Sequence, residues 1–91
     1  MERLQLTVYG KVQGVSFRYF VRKNALNLSL AGYVKNLEND KVFIIAEGEK
    51  ENLNKLLEAC KKGPPSSNVK KLDINFSDAE NEFNSFEIRT H

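Results

Sequence analysis

Between Leu4 and Leu28 the hydrophobic period changes once, from two residues to about three and a half, and that change constrains the fold more than any other feature. Leu4, Leu6 and Val8 alternate with Gln5 and Thr7, as a strand with one buried face requires. From Phe17 the apolar residues Phe17, Val21, Ala25 and Leu28 recur at helical spacing with Phe20 beside them, predicting a helix of about three turns. The segment Gly10-Lys11-Val12-Gln13-Gly14-Val15-Ser16-Phe17-Arg18 joins the two. Gly10 and Gly14 permit backbone conformations closed to residues with a side chain, so several N–H groups can turn toward one point. A helix beginning near Ser16 adds unpaired N–H groups and the positive end of its dipole. Arg18 adds a fork-shaped donor matched to phosphate or carboxylate. The expectation is an anion cradle between a strand and a helix.

Further along, Leu30 to Leu37 reads as a second strand and Lys41 to Ala46 as a third, with Glu38-Asn39-Asp40 as a tight turn between antiparallel neighbours. Leu53, Leu56, Leu57 and Cys60 form a second helical stripe, closed by Lys61-Lys62-Gly63-Pro64-Pro65. Val69, Leu72, Ile74 and Phe76 predict a fourth strand, and Phe83, Phe86 and Ile88 a short fifth. The order is that of the split βαβ, ferredoxin-like α+β sandwich, with an appended strand and both helices on one face of a mostly antiparallel sheet. In that topology the first and second strands run parallel with the third between them, so their C-terminal ends share an edge with the start of the first helix. The residue near the end of the second strand is Asn36. Arg18 and Asn36 are therefore expected to face a common ligand.

Ninety-one residues suit one domain, residues 1–91, with a single core. Glu2 and Arg3 lead into an amphipathic strand with no apolar leader or membrane span, so the expected location is cytoplasmic. One cysteine and one histidine make neither a disulfide nor a structural zinc site, and no metal site is expected. A net charge of +2 falls well short of a dedicated nucleic-acid binder.

Val8-Tyr9-Gly10-Lys11-Val12-Gln13-Gly14-Val15-Ser16-Phe17-Arg18 resembles the first motif of the acylphosphatases, small cytosolic hydrolases of carboxylic–phosphoric anhydrides. Gly32-Tyr33-Val34-Lys35-Asn36, followed by Val42 and Gly48, resembles the second, and Gly63-Pro64-Pro65 the stop after the second helix. The resemblance runs over essentially the whole chain. It implies that Arg18 and Asn36 are the catalytic pair, with Asn36 holding the attacking water. Asp40 and Ser29 stand where that family usually carries glycine; left-handed backbone at either would cost roughly 1–2 kcal/mol of stability without touching the site.

The residues fit such chemistry. The sole histidine is the terminal His91, and the loop motif contains no carboxylate, so the reaction must need little proton help. A carboxylate leaving group, with a pKa of roughly 4, departs unprotonated, whereas an alkoxide would not. Phosphoryl transfer needs mostly positioning and charge stabilisation, which the backbone N–H groups of Gln13, Gly14, Val15, Ser16, Phe17 and Arg18 can supply without cofactor. An amide such as Asn36 can orient water but is a poor base, leaving the substrate's own phosphate oxygen as proton acceptor. The expected partners are a small acyl phosphate as substrate and inorganic phosphate as product and competitor. No nucleic acid or membrane partner is expected, and monomer is the default.

Several residues read more simply. Ser16 has no accompanying base and suits a helix N-cap better than a nucleophile. Cys60 completes a core stripe, Lys61 and Lys62 complement a helix dipole, and Tyr19, Tyr33 and Phe43 need no function beyond packing. Rival readings are a noncatalytic phosphate-sensing domain, against which Asn36 argues, and an RNA-binding module, since RNA-recognition domains share this element order. The third strand, with Phe43 its one aromatic, lacks the signature of the latter.

Overall fold

The structure, a computed structural model, describes residues 1–14 and 16–90. The Val15 amide expected in the cradle, and the terminal His91, lie outside the described residues. The elements follow the expected order: β1 (Glu2–Lys11), α1 (Phe17–Asn27), β2 (Ala31–Leu37), β3 (Lys41–Gly48), α2 (Lys50–Lys62), β4 (Asn68–Asp78) and β5 (Phe86–Arg89). The sheet runs β4-β1-β3-β2-β5, antiparallel throughout except for the parallel pair β2–β5. β3 lies between β1 and β2, as the split βαβ arrangement demands.

Alternation decides which side chains meet the helices. Leu4, Leu6 and Val8 of β1, Val34 of β2, and Val42, Ile44 and Ala46 of β3 are buried together with Phe17, Val21 and Ala25 of α1 and Leu53, Leu56, Leu57 and Cys60 of α2. Each of the Val, Leu, Ile and Phe side chains among them contributes about 1.5–3 kcal/mol by leaving water, so this layer dominates the stability of the fold. Burial also pushes the Cys60 thiol up to about 12, as befits a packing residue. Val42 is the cross-strand partner of both Val8 and Asn36, so these three lie in one row near the C-terminal ends of β1 and β2. By parity Asn36 shares the helix-side face with Val34.

Three expectations change in detail. β3 extends through Glu47 and Gly48 instead of ending at Ala46. Phe83 is not part of the last strand but precedes it, standing edge-on to Tyr33 with ring centroids 5.8 Å apart on the sheet face away from the helices. Ile74 keeps the strand pattern but is 46% exposed, because β4 is an edge strand.

Helix ends and turns carry the backbone strain. Ser29 (φ 57°), Asn39 (φ 63°) and Asp40 (φ 60°) are all left-handed, which is the conformation that would favour glycine. At Ser29 this lets the Leu30 N–H reach back to the Ala25 carbonyl (2.9 Å), closing α1 and burying Leu30.

Candidate active site

The site is built where β1 hands over to α1. At Gly10 the β1–β4 register slips by a bulge, and with φ 132° a Cβ would run into the carbonyl oxygen of Asn68. The chain leaves the sheet after Lys11, and Gly14 (φ 70°) and Ser16 (φ 62°) are both left-handed as the loop turns into the helix. Ser16 occupies the N-cap position but makes no side-chain capping bond, contrary to the expectation that capping explains it. In that left-handed conformation it starts the helix through its backbone alone, its carbonyl accepting from Phe20 N–H at 3.0 Å. The amides of the first helical turn are thus left without a capping side chain, aligned with the positive end of the helix.

A cavity of about 260 Å³ opens at this point. Gly14 and Ser16 line it from the loop, Phe17, Arg18 and Tyr19 from α1, and Asn36 from β2. Topology thus brings Arg18 and Asn36 to one cavity. Arg18 is half-buried, and its hydrogen bond among the described residues is a long one of 3.5 Å from Nη1 to the Arg89 carbonyl of β5. No ion pair involving Arg18 is present among the described residues. Among the described residues, most of the guanidinium's five donors have no partner. Asn36 Oδ1 is buried and has no hydrogen-bond partner among the described residues. A buried acceptor without a donor costs about 1–3 kcal/mol, so its presence at a cavity wall calls for an explanation.

Gln13, expected to offer its backbone N–H, does not line this cavity; it borders a neighbouring one beside Gly10, Lys11 and Asp40. Its side chain has a different task. Nε2 donates to the Leu37 carbonyl at 2.7 Å and to the Lys41 carbonyl at 2.8 Å, tying the loop to both sides of the β2–β3 turn. The signal in the sequence was only that an amide carries two donors. Tyr19 also departs from expectation: at 70% exposure it is not a packing residue. Neither carboxylate nor thiol lines the cavity, and no cluster of three His, Cys, Asp or Glu suited to a metal ion occurs among the described residues.

A split βαβ sheet, with Arg18 and Asn36 at one small cavity where β1 hands over to α1, defines a ferredoxin-like domain of the α+β class. Comparison with known proteins makes the class specific. The acylphosphatase family model matches residues 4–88. The chain is 46% identical over 88 residues to the acylphosphatase of Archaeoglobus fulgidus, covering 97% of this chain and 98% of that protein. It is 45% identical over 87 residues to that of Syntrophotalea carbinolica, covering 96% and 95%. The crystal structure of the Bacillus subtilis acylphosphatase superposes with a TM-score of 0.94 at 39% identity, covering 98% of this chain and 99% of that one. The chain belongs to the acylphosphatase family. Membership places it among the hydrolases of acyl phosphates. No helix among the described residues is long and apolar enough to cross a membrane.

Proposed function

We propose that the chain hydrolyses small acyl phosphates by gripping the phosphoryl group with Arg18 and the loop and helix amides, while Asn36 places the attacking water. The observation that carries this reading is that Asn36, whose buried Oδ1 has no partner among the described residues, lines the same cavity as Arg18, whose guanidinium makes one long hydrogen bond among them. The Asn36 side-chain amide hydrogen-bonds the water without taking its proton, which aims an oxygen lone pair at phosphorus. The water oxygen bonds to phosphorus as the bond from phosphorus to the acyl oxygen breaks, and the carboxylate leaves without a proton. The water's proton passes to a phosphate oxygen. The guanidinium and the N–H groups of Gly14, Ser16, Phe17 and Arg18 stabilise charge on the equatorial oxygens, with Gln13 and Val15 completing the loop.

Because the leaving group needs no acid and the phosphoryl charge already has a cation, the reaction as written calls for no metal or cofactor. Inorganic phosphate, the product, uses the same grip and competes with substrate. The chain acts as a single-domain monomer in the cytoplasm.

The test is a steady-state assay with acetyl or benzoyl phosphate in the presence of a chelator, with inorganic phosphate titrated in. Turnover with competitive inhibition by phosphate is expected. Absence of turnover would sink the hydrolase reading, loss on chelation the metal-free route, and insensitivity to phosphate the shared grip.

A further inference from the structure

The cradle accounts for the phosphoryl half of a substrate and says nothing of the acyl half. The three tyrosines of the chain point to what does. Tyr9 is held on the open sheet face, its hydroxyl donating to Asp73 at 2.6 Å and its ring under Lys71 and Lys41. Tyr33 stacks against Phe43 and Phe83 and under the Arg89 guanidinium, 3.9 Å from its ring. Tyr19 has no ring partner of either kind among the described residues and is 70% exposed at the third position of α1, against the cavity. Of the four large hydrophobic residues exposed among those described (Met1, Tyr19, Leu26 and Ile74), Tyr19 alone borders it. The other apolar linings among the described residues, Val12 and Phe17, are each 1% exposed and already committed to the core.

We infer that the Tyr19 ring is the wall against which the acyl group lies, making this chain selective for acyl phosphates whose acyl group is flat and apolar, such as aroyl phosphates, over acetyl phosphate. The inference rests on the hydrolase reading above and deepens it. In-line displacement sends the acyl oxygen away from the water held at Asn36, so the acyl group leaves the β2 side of the cavity. On the remaining walls, the apolar side chain among the described residues not already used by the core is that of Tyr19. A planar acyl group gains by stacking there; a methyl group covers little of it.

The experiment compares wild type, Tyr19→Ala and Tyr19→Phe with benzoyl and acetyl phosphate, reading kcat and KM separately, together with the inhibition constant of inorganic phosphate and a thermal melt. Tyr19→Ala is expected to lower the benzoyl-to-acetyl ratio of kcat/KM by about 3- to 10-fold, the size of one aromatic stacking contact, mostly through the KM for benzoyl phosphate. Tyr19→Phe should keep the wild-type ratio, because the ring face and not the hydroxyl is used. Phosphate inhibition and the melting temperature should hold in both variants. An equal loss on both substrates, or an unchanged ratio in Tyr19→Ala, would overturn the acyl wall while leaving the hydrolase reading intact. Failure of the wild type on both substrates would overturn the hydrolase reading, and the acyl wall with it.

Discussion

β1 runs between two polar regions that treat their hydrogen-bonding groups in opposite ways. At its N-terminal end Arg3 faces its cross-strand partner Glu47, Nε to Oε2 at 2.8 Å, and also pairs with Glu80 at 3.2 Å and with Glu82. Glu47, buried on the open sheet face beneath the segment before β5, accepts further bonds from the Glu80 N–H at 2.8 Å and the Asn81 N–H at 3.0 Å. Every charge in that corner is spent. At the other end, among the described residues, the loop and helix start leave a guanidinium with one long bond, an amide oxygen with none, and a helix turn without a side-chain cap. The saturated corner contributes stability by fastening the last third of the chain to the sheet. The unsaturated corner costs stability, and such a cost is expected where a ligand supplies the missing partners.

If that contrast is right, changes at the two ends should separate activity from stability. Arg18→Ala should lower kcat/KM for acyl phosphates by about a thousandfold and abolish competition by phosphate, the size of losing a preorganised cation, with little change in melting temperature. A melt that falls along with activity would mean that Arg18 belongs to the scaffold. Asn36→Ala should lower kcat by about a hundredfold with phosphate affinity nearly intact, and should not destabilise, since it removes an unsatisfied buried acceptor. Full turnover by that variant would end the water-positioning role.

Glu47→Gln should do the reverse. Leaving Arg3 without its buried partner is expected to cost about 2–3 kcal/mol, or roughly 10–20 °C in Tm, with kcat unchanged. The same carboxyl gives the pH dependence its sign. Burial alone would raise its pKa above the usual carboxylate range, but the Glu80 N–H, Arg3 and the Asn81 N–H outweigh burial and hold it lower. A carboxyl depressed by folding stabilises the fold fully above its unfolded pKa, and that contribution fades as pH falls through the lower folded value. Thermal melts should therefore drop on acidification below about pH 4 in the wild type and more gently in Glu47→Gln. Smallest of all, Ser29→Gly should raise stability by about 1 kcal/mol, or 4–8 °C, because it relieves a left-handed side-chain residue remote from both corners. A melt unmoved by it would show that the Ser29 backbone carries no strain.

How much could be read from the sequence follows the range of the interactions. The element order was legible because Leu4-Leu6-Val8 and Phe17-Val21-Ala25 advertise their periods locally, and the strand order followed from chain-connection rules. The meeting of Arg18 and Asn36 in one cavity followed from that order. What escaped depends on register across distant strands. Glu47 looked like a charge beyond the end of β3, since only the pairing with Arg3 makes it a buried acceptor. Phe83 carried the pattern of a strand residue until the open sheet face offered Tyr33 to pack against. Ser16 read as a cap from its residue type, but its backbone conformation is imposed by the loop and turns the capping geometry off.

The Gln13 side chain bears on affinity for something as small as a phosphate ion. Its two short bonds straddle the β2–β3 turn, so the loop is already fixed at both flanks of that turn before anything binds. An unpinned loop would have to lose roughly 1–2 kcal/mol of backbone freedom per residue at the moment of capture, and a few N–H bonds to a small dianion could not offset that. At Gln13 that ordering is completed during folding, so on the proposed reading a ligand would meet a loop already anchored there. On that reading, recognition of a minimal ligand would owe part of its strength to an amide spent on the β2–β3 turn.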